Sequence, residues 1–255
     1  MREILSDLVA EQQSLDQFLQ QIHERDWKLR TPAPGWTIQD TVSHLAYTET
    51  FAARAIEEGE AAIKDADITD IDEWTARGVQ QGRGKRYQET IEWWRNGRAA
   101  VVDLLSRMEK SERVPWILAP VSAKAFATLR LTETWAHGLD IKAAMNGRLP
   151  EPEEGEDDPN ADTPRLRHVA WLAHRMLPYS FERTGVEFPD AGIRVELMGP
   201  KYSRWVYGPE DAENVIKGIA GDWCRVAVRR LDASKTGLKA IGDAAEVALR
   251  VVQTY

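Results

Sequence analysis

Four long stretches of the chain repeat apolar residues at intervals of three and four, and this periodicity constrains the fold more than any other feature. Spacing of this kind places the apolar side chains on one face of an α-helix. A shorter helical piece lies near residues 66–80. Four long helices bury their apolar faces most economically as an up-and-down bundle, which we predict for residues 1–150. The four stretches are residues 3–23, 37–59, 84–109 and 122–146.

The pattern changes after an acidic stretch at residues 151–163. This segment, EPEEGEDDPNADT, contains seven acidic residues, two prolines and no basic residue. Because prolines disfavour a helix, we interpret it as a solvated linker between two domains. Beyond it, the alternating segments IRVELMG (193–199) and SRWVYG (203–208) are typical of strands and are followed by helical runs. Residues 164–255 are therefore predicted to form a small α+β domain.

Charge and composition exclude several classes of function. The chain has 33 Lys and Arg against 41 Asp and Glu, a net charge of −8, and no basic stripe, so we expect no nucleic-acid partner. The absence of 18 consecutive apolar residues argues against a transmembrane helix and a membrane partner. The acidic, amphipathic start differs from a signal peptide, and the single cysteine, Cys224, cannot form an internal disulfide. We therefore expect a cytoplasmic protein.

Three side chains are candidates for a metal site. Glu133 and His137 are four residues apart in the fourth helical stretch, so they share one helix face. His44 lies among apolar residues of the second stretch and is expected to point into the bundle. If these two helices face each other, two imidazoles and one carboxylate converge, which is a ligand set for a divalent metal such as Zn²⁺ with an open position. The spacing alone equally allows Glu133 and His137 to be a surface ion pair.

Other polar residues have less certain assignments from spacing. Asp40 and Asp140 lie one turn from a candidate histidine, so each is a candidate for orienting an imidazole or for a surface role. His168 and His174 are expected to contribute packing or hydrogen bonds. Cys224 lies beside apolar residues and is expected to be a packed thiol.

Several segments resemble a known family. PAPGWTIQDTVSHLA (32–46) and ETWAHGLDI (133–141) are similar to the DinB-like metal-binding bundles, and most closely to the branch typified by mycothiol-dependent maleylpyruvate isomerase. The resemblance implies that His44, Glu133 and His137 bind a divalent metal. RLRHVAWLAHR, WVYGPEDA and GDAAEVALRVVQTY resemble the small C-terminal domain of actinobacterial members. The resemblance thus implies a mainly α protein, with a DinB-like bundle followed by a sterol-carrier-protein-like α+β domain.

The resemblance also implies a chemistry. Members of this family use mycothiol as cofactor or co-substrate, and a thiol bound to a metal loses its proton near neutral pH and becomes a strong nucleophile. The family therefore implies an isomerase or a thiol transferase that acts on a small unsaturated, carboxylate-bearing electrophile. In the isomerase an arginine of the C-terminal domain anchors the substrate carboxylate. Arg229 and Arg230 are the first candidates for that role here, followed by Arg194 and Arg204.

Two other functions remain open from the sequence. The same metal site is suited to a hydrolase that uses metal-activated water. A C-terminal domain that resembles apolar-ligand carriers also allows a non-catalytic metal- or ligand-binding protein. The partner is a small molecule in each case, joined by a low-molecular-weight thiol in the first. The nitrogen and oxygen ligands would also accept Ni²⁺, Co²⁺ or Fe²⁺, and both a monomer and a homodimer are compatible with the sequence.

Overall fold

The computed structural model describes residues 1–149, 158 and 161–254. The chain divides into two compact units, Met1–Asn160 and Ala161–Tyr255. Most of the predicted linker, residues 151–163, lies outside the described residues, so its solvated character stays a prediction. No helix in the described part of the chain is long and apolar enough to span a membrane.

The first unit is a helical bundle with one small hairpin. The predicted long helices are present as α1, α2, α5 and α6, which confirms the mainly α fold class. Helix α2 contacts α4, α5 and α6, while α1 contacts α5 and α6. The elements are α1 (Arg2–Gln20), α2 (Ile38–Glu58), α3 (Glu60–Asp65), α4 (Ile71–Arg83), α5 (Tyr87–Ser106), β1 (Arg113–Val114), β2 (Val121–Ser122) and α6 (Ala123–Ala144).

The apolar faces of these helices meet in a common core. Leu15 of α1, Leu45 of α2, Trp94 of α5 and Ile141 of α6 are all buried in it. Burial of each such side chain stabilises the fold by about 1.5–3 kcal/mol before the loss of conformational entropy is counted. The three- and four-residue spacing in the sequence therefore corresponds to the faces that the bundle buries.

The start of α2 is fixed by a capping box. The Thr37 hydroxyl accepts a hydrogen bond from the Asp40 backbone N–H at 3.2 Å, and the Asp40 carboxylate accepts one from the Thr37 N–H at 3.0 Å. Arg83 at the end of α4 also donates to Asp40, at 2.9 Å. The hydrogen bonds of Asp40 thus go to Thr37 and Arg83 and not to His44. The prediction that Asp40 orients this imidazole is wrong. The cap sets the register of α2, in which His44 lies about two turns after Thr37 and one turn after Asp40.

The second unit combines short helices with a four-stranded mixed sheet of order β4–β3–β5–β6. Strand β3 pairs antiparallel with β4 and parallel with β5, and β6 pairs antiparallel with β5. This arrangement confirms the predicted α+β character of the C-terminal part. Its elements are α7 (Leu166–Arg175), α8 (Leu177–Glu182), β3 (Ile193–Met198), β4 (Arg204–Tyr207), β5 (Asn214–Ile219), α9 (Ala220–Ala227), β6 (Lys239–Ile241) and α10 (Asp243–Val251).

The lone cysteine and two histidines of this unit have structural surroundings. Cys224 on α9 is fully buried, its thiol lies 3.6 Å from the Leu166 carbonyl oxygen, and burial raises its pKa well above the usual value. His168 is buried on α7. The ring of His174 hydrogen-bonds the Ile193 carbonyl oxygen at 3.0 Å. These findings agree with the packing and hydrogen-bonding roles expected from the sequence.

Candidate metal centre

Helices α2 and α6 bring His44, Glu133 and His137 together. The Glu133 Oε2 atom lies 3.3 Å from His44 Nε2 and 3.7 Å from His137 Nε2. One potential ligand atom from each residue lies within 4.8 Å of the other two. The three side chains therefore converge as their spacing predicts, and Glu133 and His137 are not an isolated surface pair.

The separations between these atoms suit a first-row divalent cation. With metal–ligand distances of about 2.0–2.2 Å, tetrahedral geometry places neighbouring ligand atoms about 3.3–3.6 Å apart. The two distances from Glu133 Oε2, 3.3 Å and 3.7 Å, lie at or close to this range. The residues present thus fit a metal ion held by two imidazoles and one carboxylate.

Asp140 orients the imidazole of His137. The His137 Nδ1 atom lies 3.1 Å from Asp140 Oδ2. Because a carboxylate only accepts hydrogen bonds, we place a proton on Nδ1, so that Nε2 is the ring nitrogen that faces Glu133. This contact agrees with the predicted role of Asp140 in orienting the imidazole of His137.

The electrostatics favour metal binding at two of the three candidate ligands, His44 and Glu133. Burial lowers the pKa of His44, which keeps the imidazole neutral. Burial alone would raise the pKa of Glu133, but its hydrogen bond with His44 and the nearby His137 and Arg130 outweigh burial and hold the pKa well below the usual range. An ionised Glu133 beside an uncharged His44 favours binding of a divalent cation near neutral pH.

Trp36 covers the two imidazoles. Its ring centroid lies 5.0 Å from that of His44 and 5.9 Å from that of His137. The turn that delivers Trp36 to this position contains Gly35 at a φ of +81°, a conformation that glycine adopts without steric cost. The His44 Nδ1 atom is buried and has no hydrogen-bond partner within residues 1–149, 158 and 161–254. The turn at residues 34–37 thus places an aromatic ring over the candidate ligands.

Two charged residues near the centre were not anticipated from the sequence. Glu49 of α2 is fully buried and Arg130 of α6 is 3% exposed. Their closest atoms, Arg130 Nη1 and Glu49 Oε1, are 3.9 Å apart. Burial raises the pKa of Glu49 to about 7. One feature of the sequence could have indicated that Arg130 lies near the centre: it precedes Glu133 by three residues and so shares its helix face.

The arginines first predicted to anchor a substrate follow α9 in the second unit. Arg229 donates to the Arg250 carbonyl oxygen at 3.0 Å, and Arg230 donates to the Val228 carbonyl oxygen at 2.7 Å. Both guanidinium groups therefore contact nearby backbone. Their role as substrate anchors stays a prediction.

The second pair of candidate arginines lies on the sheet of the same unit. Arg194 of β3 donates to the Glu196 carboxylate at 2.7 Å, and Arg204 of β4 lies 3.7 Å from it. Glu196 is thus a shared partner for both guanidinium groups. A role of either arginine in binding substrate likewise stays a prediction.

One family model matches more than half of the chain. A model described as the mycothiol maleylpyruvate isomerase N-terminal domain matches residues 8–142, which include all three candidate ligands. An uncharacterized protein of Mycobacterium tuberculosis, found in strains CDC 1551 / Oshkosh and ATCC 25618 / H37Rv, is 31% identical over 253 residues, covering 98% of this chain and 94% of its own.

Two solved structures share the fold. A crystal structure of the mycothiol-dependent maleylpyruvate isomerase matches with a TM-score of 0.60 and 16% identity over 94% of this chain and 92% of that chain. A histidine-to-alanine mutant of that isomerase matches over the same shares with a TM-score of 0.59. At this low identity the match shows a common fold across both units.

Proposed function

The chain belongs to the mycothiol maleylpyruvate isomerase family, and from that premise we propose that it is a metal-dependent enzyme that uses mycothiol. Its substrate is a small, unsaturated, carboxylate-bearing electrophile, which it isomerises or to which it transfers the thiol. The observation that carries this proposal is the convergence of His44, Glu133 and His137, with Asp140 fixing the tautomer of His137.

Each residue of the centre has a defined part in this proposal. His44, Glu133 and His137 would hold the cation, and three protein ligands are the number typical of a catalytic site with an open position. A divalent cation bound there would lower the pKa of a thiol that contacts it, and would so favour the nucleophilic thiolate. Asp140 keeps the Nδ1 proton on His137. Trp36 limits the access of water to both imidazoles.

The proposed reaction consumes no thiol when the enzyme acts as an isomerase. The thiolate sulfur adds to one carbon of the electron-poor double bond, the resulting single bond rotates, and elimination returns the thiolate with the trans alkene. As a transferase, the enzyme would release the thiol adduct after protonation. The thiol comes from outside the chain, because Cys224 is buried and burial holds its pKa well above the usual value.

Thiol-dependent turnover tests this proposal. Zn²⁺-loaded protein is mixed with maleylpyruvate in the presence and absence of mycothiol, and the products are followed by absorbance and chromatography. We expect conversion only with mycothiol, loss of conversion in His44→Ala, and unchanged conversion in His23→Ala, a control at an exposed histidine.

The outcomes separate the proposal from its alternatives. If maleylpyruvate and related unsaturated carboxylates are not converted in the presence of mycothiol, the protein is not a thiol-using enzyme of this kind. Metal-dependent cleavage of simple esters without any thiol would instead identify a hydrolase that uses metal-activated water.

A further inference from the structure

Two buried charged residues, Glu49 of α2 and Arg130 of α6, lie on the helices that carry the candidate metal ligands. Arg130 precedes Glu133 by three residues, so these two side chains are neighbours on one face of α6. Glu49 follows His44 by five residues on α2. The Nη1 atom of Arg130 lies 3.9 Å from Oε1 of Glu49, so the two residues form an ion pair between the two ligand-bearing helices.

The packing of the bundle separates this pair from solvent. Glu49 is fully buried and Arg130 is 3% exposed. Helix α5 packs closely on Glu49, because a Cβ added to Gly97 would lie 3.0 Å from the Glu49 Cβ. The central carbon of the Arg130 guanidinium lies 5.1 Å from the centroid of the Trp116 ring. Charges in such surroundings are screened much less than charges at the surface, so they act over longer distances.

Stability alone does not account for two charges at this position. The 3.9 Å between Arg130 Nη1 and Glu49 Oε1 exceeds the length of a hydrogen bond. Within the described residues, Nε and Nη1 of Arg130 and both carboxylate oxygens of Glu49 are buried without a hydrogen-bond partner. Replacing a buried ion pair by uncharged residues of similar volume is often neutral or stabilising. The effect of these charges on their neighbours is therefore the more informative property.

The charges of the pair act on the candidate ligands. Arg130 interacts electrostatically with both His44 and Glu133. Glu49 interacts electrostatically with Arg130 and Glu133 of α6 and with Arg98 of α5. A divalent cation held by the ligands would be repelled by the guanidinium of Arg130 and attracted by the carboxylate of Glu49.

We propose that the buried pair of Glu49 and Arg130 tunes the affinity of the centre for its cation, with Glu49 as the counter-charge that offsets the repulsion by Arg130. Neither residue coordinates the cation, and both act through the electric field at the centre. The inference rests on the proposed function for the presence of a metal at this centre.

The Zn²⁺ affinity of the full-length protein tests this role, measured at pH 8 by competition with a chromophoric chelator. Glu49→Gln leaves the charge of Arg130 without its partner, and the double variant Glu49→Gln/Arg130→Met removes both charges. Glu58→Gln is the matched control, because Glu58 lies on the same helix and pairs with Arg54 but is exposed to solvent. Circular dichroism establishes that each variant is folded.

We expect Glu49→Gln to bind Zn²⁺ about 10-fold more weakly than the wild type, because the unbalanced positive charge of Arg130 repels the cation. The double variant should return to within about threefold of the wild type, since both charges are then absent. Glu58→Gln should match the wild type, because water screens an exposed charge. A merely structural pair would leave the Zn²⁺ affinity of all the folded variants unchanged.

A comparison of two pH values decides if Glu49→Gln alone fails to fold. Burial raises the pKa of Glu49 to about 7, so this carboxyl is mostly neutral at pH 6 and mostly ionised at pH 8. The double variant has no such group. Relative to the double variant, the wild type should therefore bind Zn²⁺ about threefold or more weakly at pH 6 and about equally at pH 8.

Equal Zn²⁺ affinity of the wild type and folded Glu49→Gln at pH 8 would overturn the inference. So would a ratio of wild-type to double-variant affinity that does not change between pH 6 and pH 8. The outcomes also separate the two proposals. Thiol-dependent turnover with a Zn²⁺ affinity that does not depend on Glu49 would support the proposed function and refute the inference. Glu49-dependent Zn²⁺ affinity without thiol-dependent turnover would do the reverse.

Discussion

At the scale of single residues, the candidate centre depends on where protons lie. The carboxylate of Asp140 holds a proton on Nδ1 of His137, and burial keeps His44 neutral by lowering its pKa. Glu133 stays ionised because its hydrogen bond with His44 and the neighbouring positive charges outweigh the effect of burial on its pKa. Glu133 is therefore ionised and His44 uncharged at neutral pH, and both states favour metal binding.

Replacement of Asp140 tests how strongly its hydrogen bond supports the centre. Asp140→Asn removes the negative charge that stabilises the Nδ1 proton of His137, so we expect Zn²⁺ affinity to fall about 10- to 100-fold. Competition with a chromophoric chelator measures the affinity. Asp103→Asn, at an exposed ion pair of α5, is the control. Equal affinity in Asp140→Asn and the wild type would show that Asp140 does not tune this ligand.

The raised pKa of Glu49 predicts that the stability of the protein depends on pH. Its pKa is about 7 in the folded chain against an ordinary value of 4.5, so the folded state retains a proton that the unfolded state loses in this range. Stability should therefore decrease as pH rises from about 4.5 to 7 and level off above, by about 3 kcal/mol in total. Glu49→Gln removes this contribution.

The measurement compares urea unfolding of the metal-free wild type and Glu49→Gln at pH 5 and pH 8. We expect the variant to gain free energy of unfolding relative to the wild type between the two pH values. A constant difference between the two proteins would contradict a buried carboxyl with a raised pKa.

At the level of helices and strands, the three- and four-residue spacing of apolar side chains was sufficient to predict the bundle helices. The alternation of apolar and polar side chains was sufficient to predict β3 and β4. Spacing alone placed Glu133 and His137 on one helix face and left a surface ion pair open, and the family resemblance was needed to single out these two residues and His44 as metal ligands. The burial of Glu49 and Arg130 could not be predicted in this way. Charged residues in helices usually face solvent, and the ring that covers Arg130 belongs to Trp116, outside any helix.

Close contact between α2 and α4 is a second feature that periodicity does not specify. A Cβ added to Gly82 would overlap the side chain of Ser43, the neighbour of His44. Gly82→Ala should therefore destabilise the protein by about 1–3 kcal/mol, although alanine is the better helix former in an open position. Thermal unfolding followed by circular dichroism measures the effect.

The matched control is Gly84→Ala at the end of the same helix. A Cβ there meets nothing within 4 Å, and its φ of −85° suits any residue. We expect the midpoint of unfolding to fall in Gly82→Ala and to stay unchanged or rise slightly in Gly84→Ala. Equal midpoints for the two variants would show that α4 does not pack closely on α2.

At the scale of the whole molecule, a shared fold and a shared set of residues carry different information. The solved isomerase has the fold of both units at 16% identity, so the fold persists although most side chains differ. Fold alone does not determine a reaction. The side chains within residues 8–142, where the family model matches and the candidate ligands lie, therefore support the proposed enzymatic function more than the fold does.

Elemental mass spectrometry of the purified protein tests whether this centre holds a metal. Wild type, the double variant His44→Ala/His137→Ala and the control His23→Ala are loaded with Zn²⁺, separated from free metal and analysed together. We predict about one ion per chain in the wild type and His23→Ala, and none above background in the double variant. A wild type that stays empty after loading, or a double variant that retains the same metal, would contradict the account.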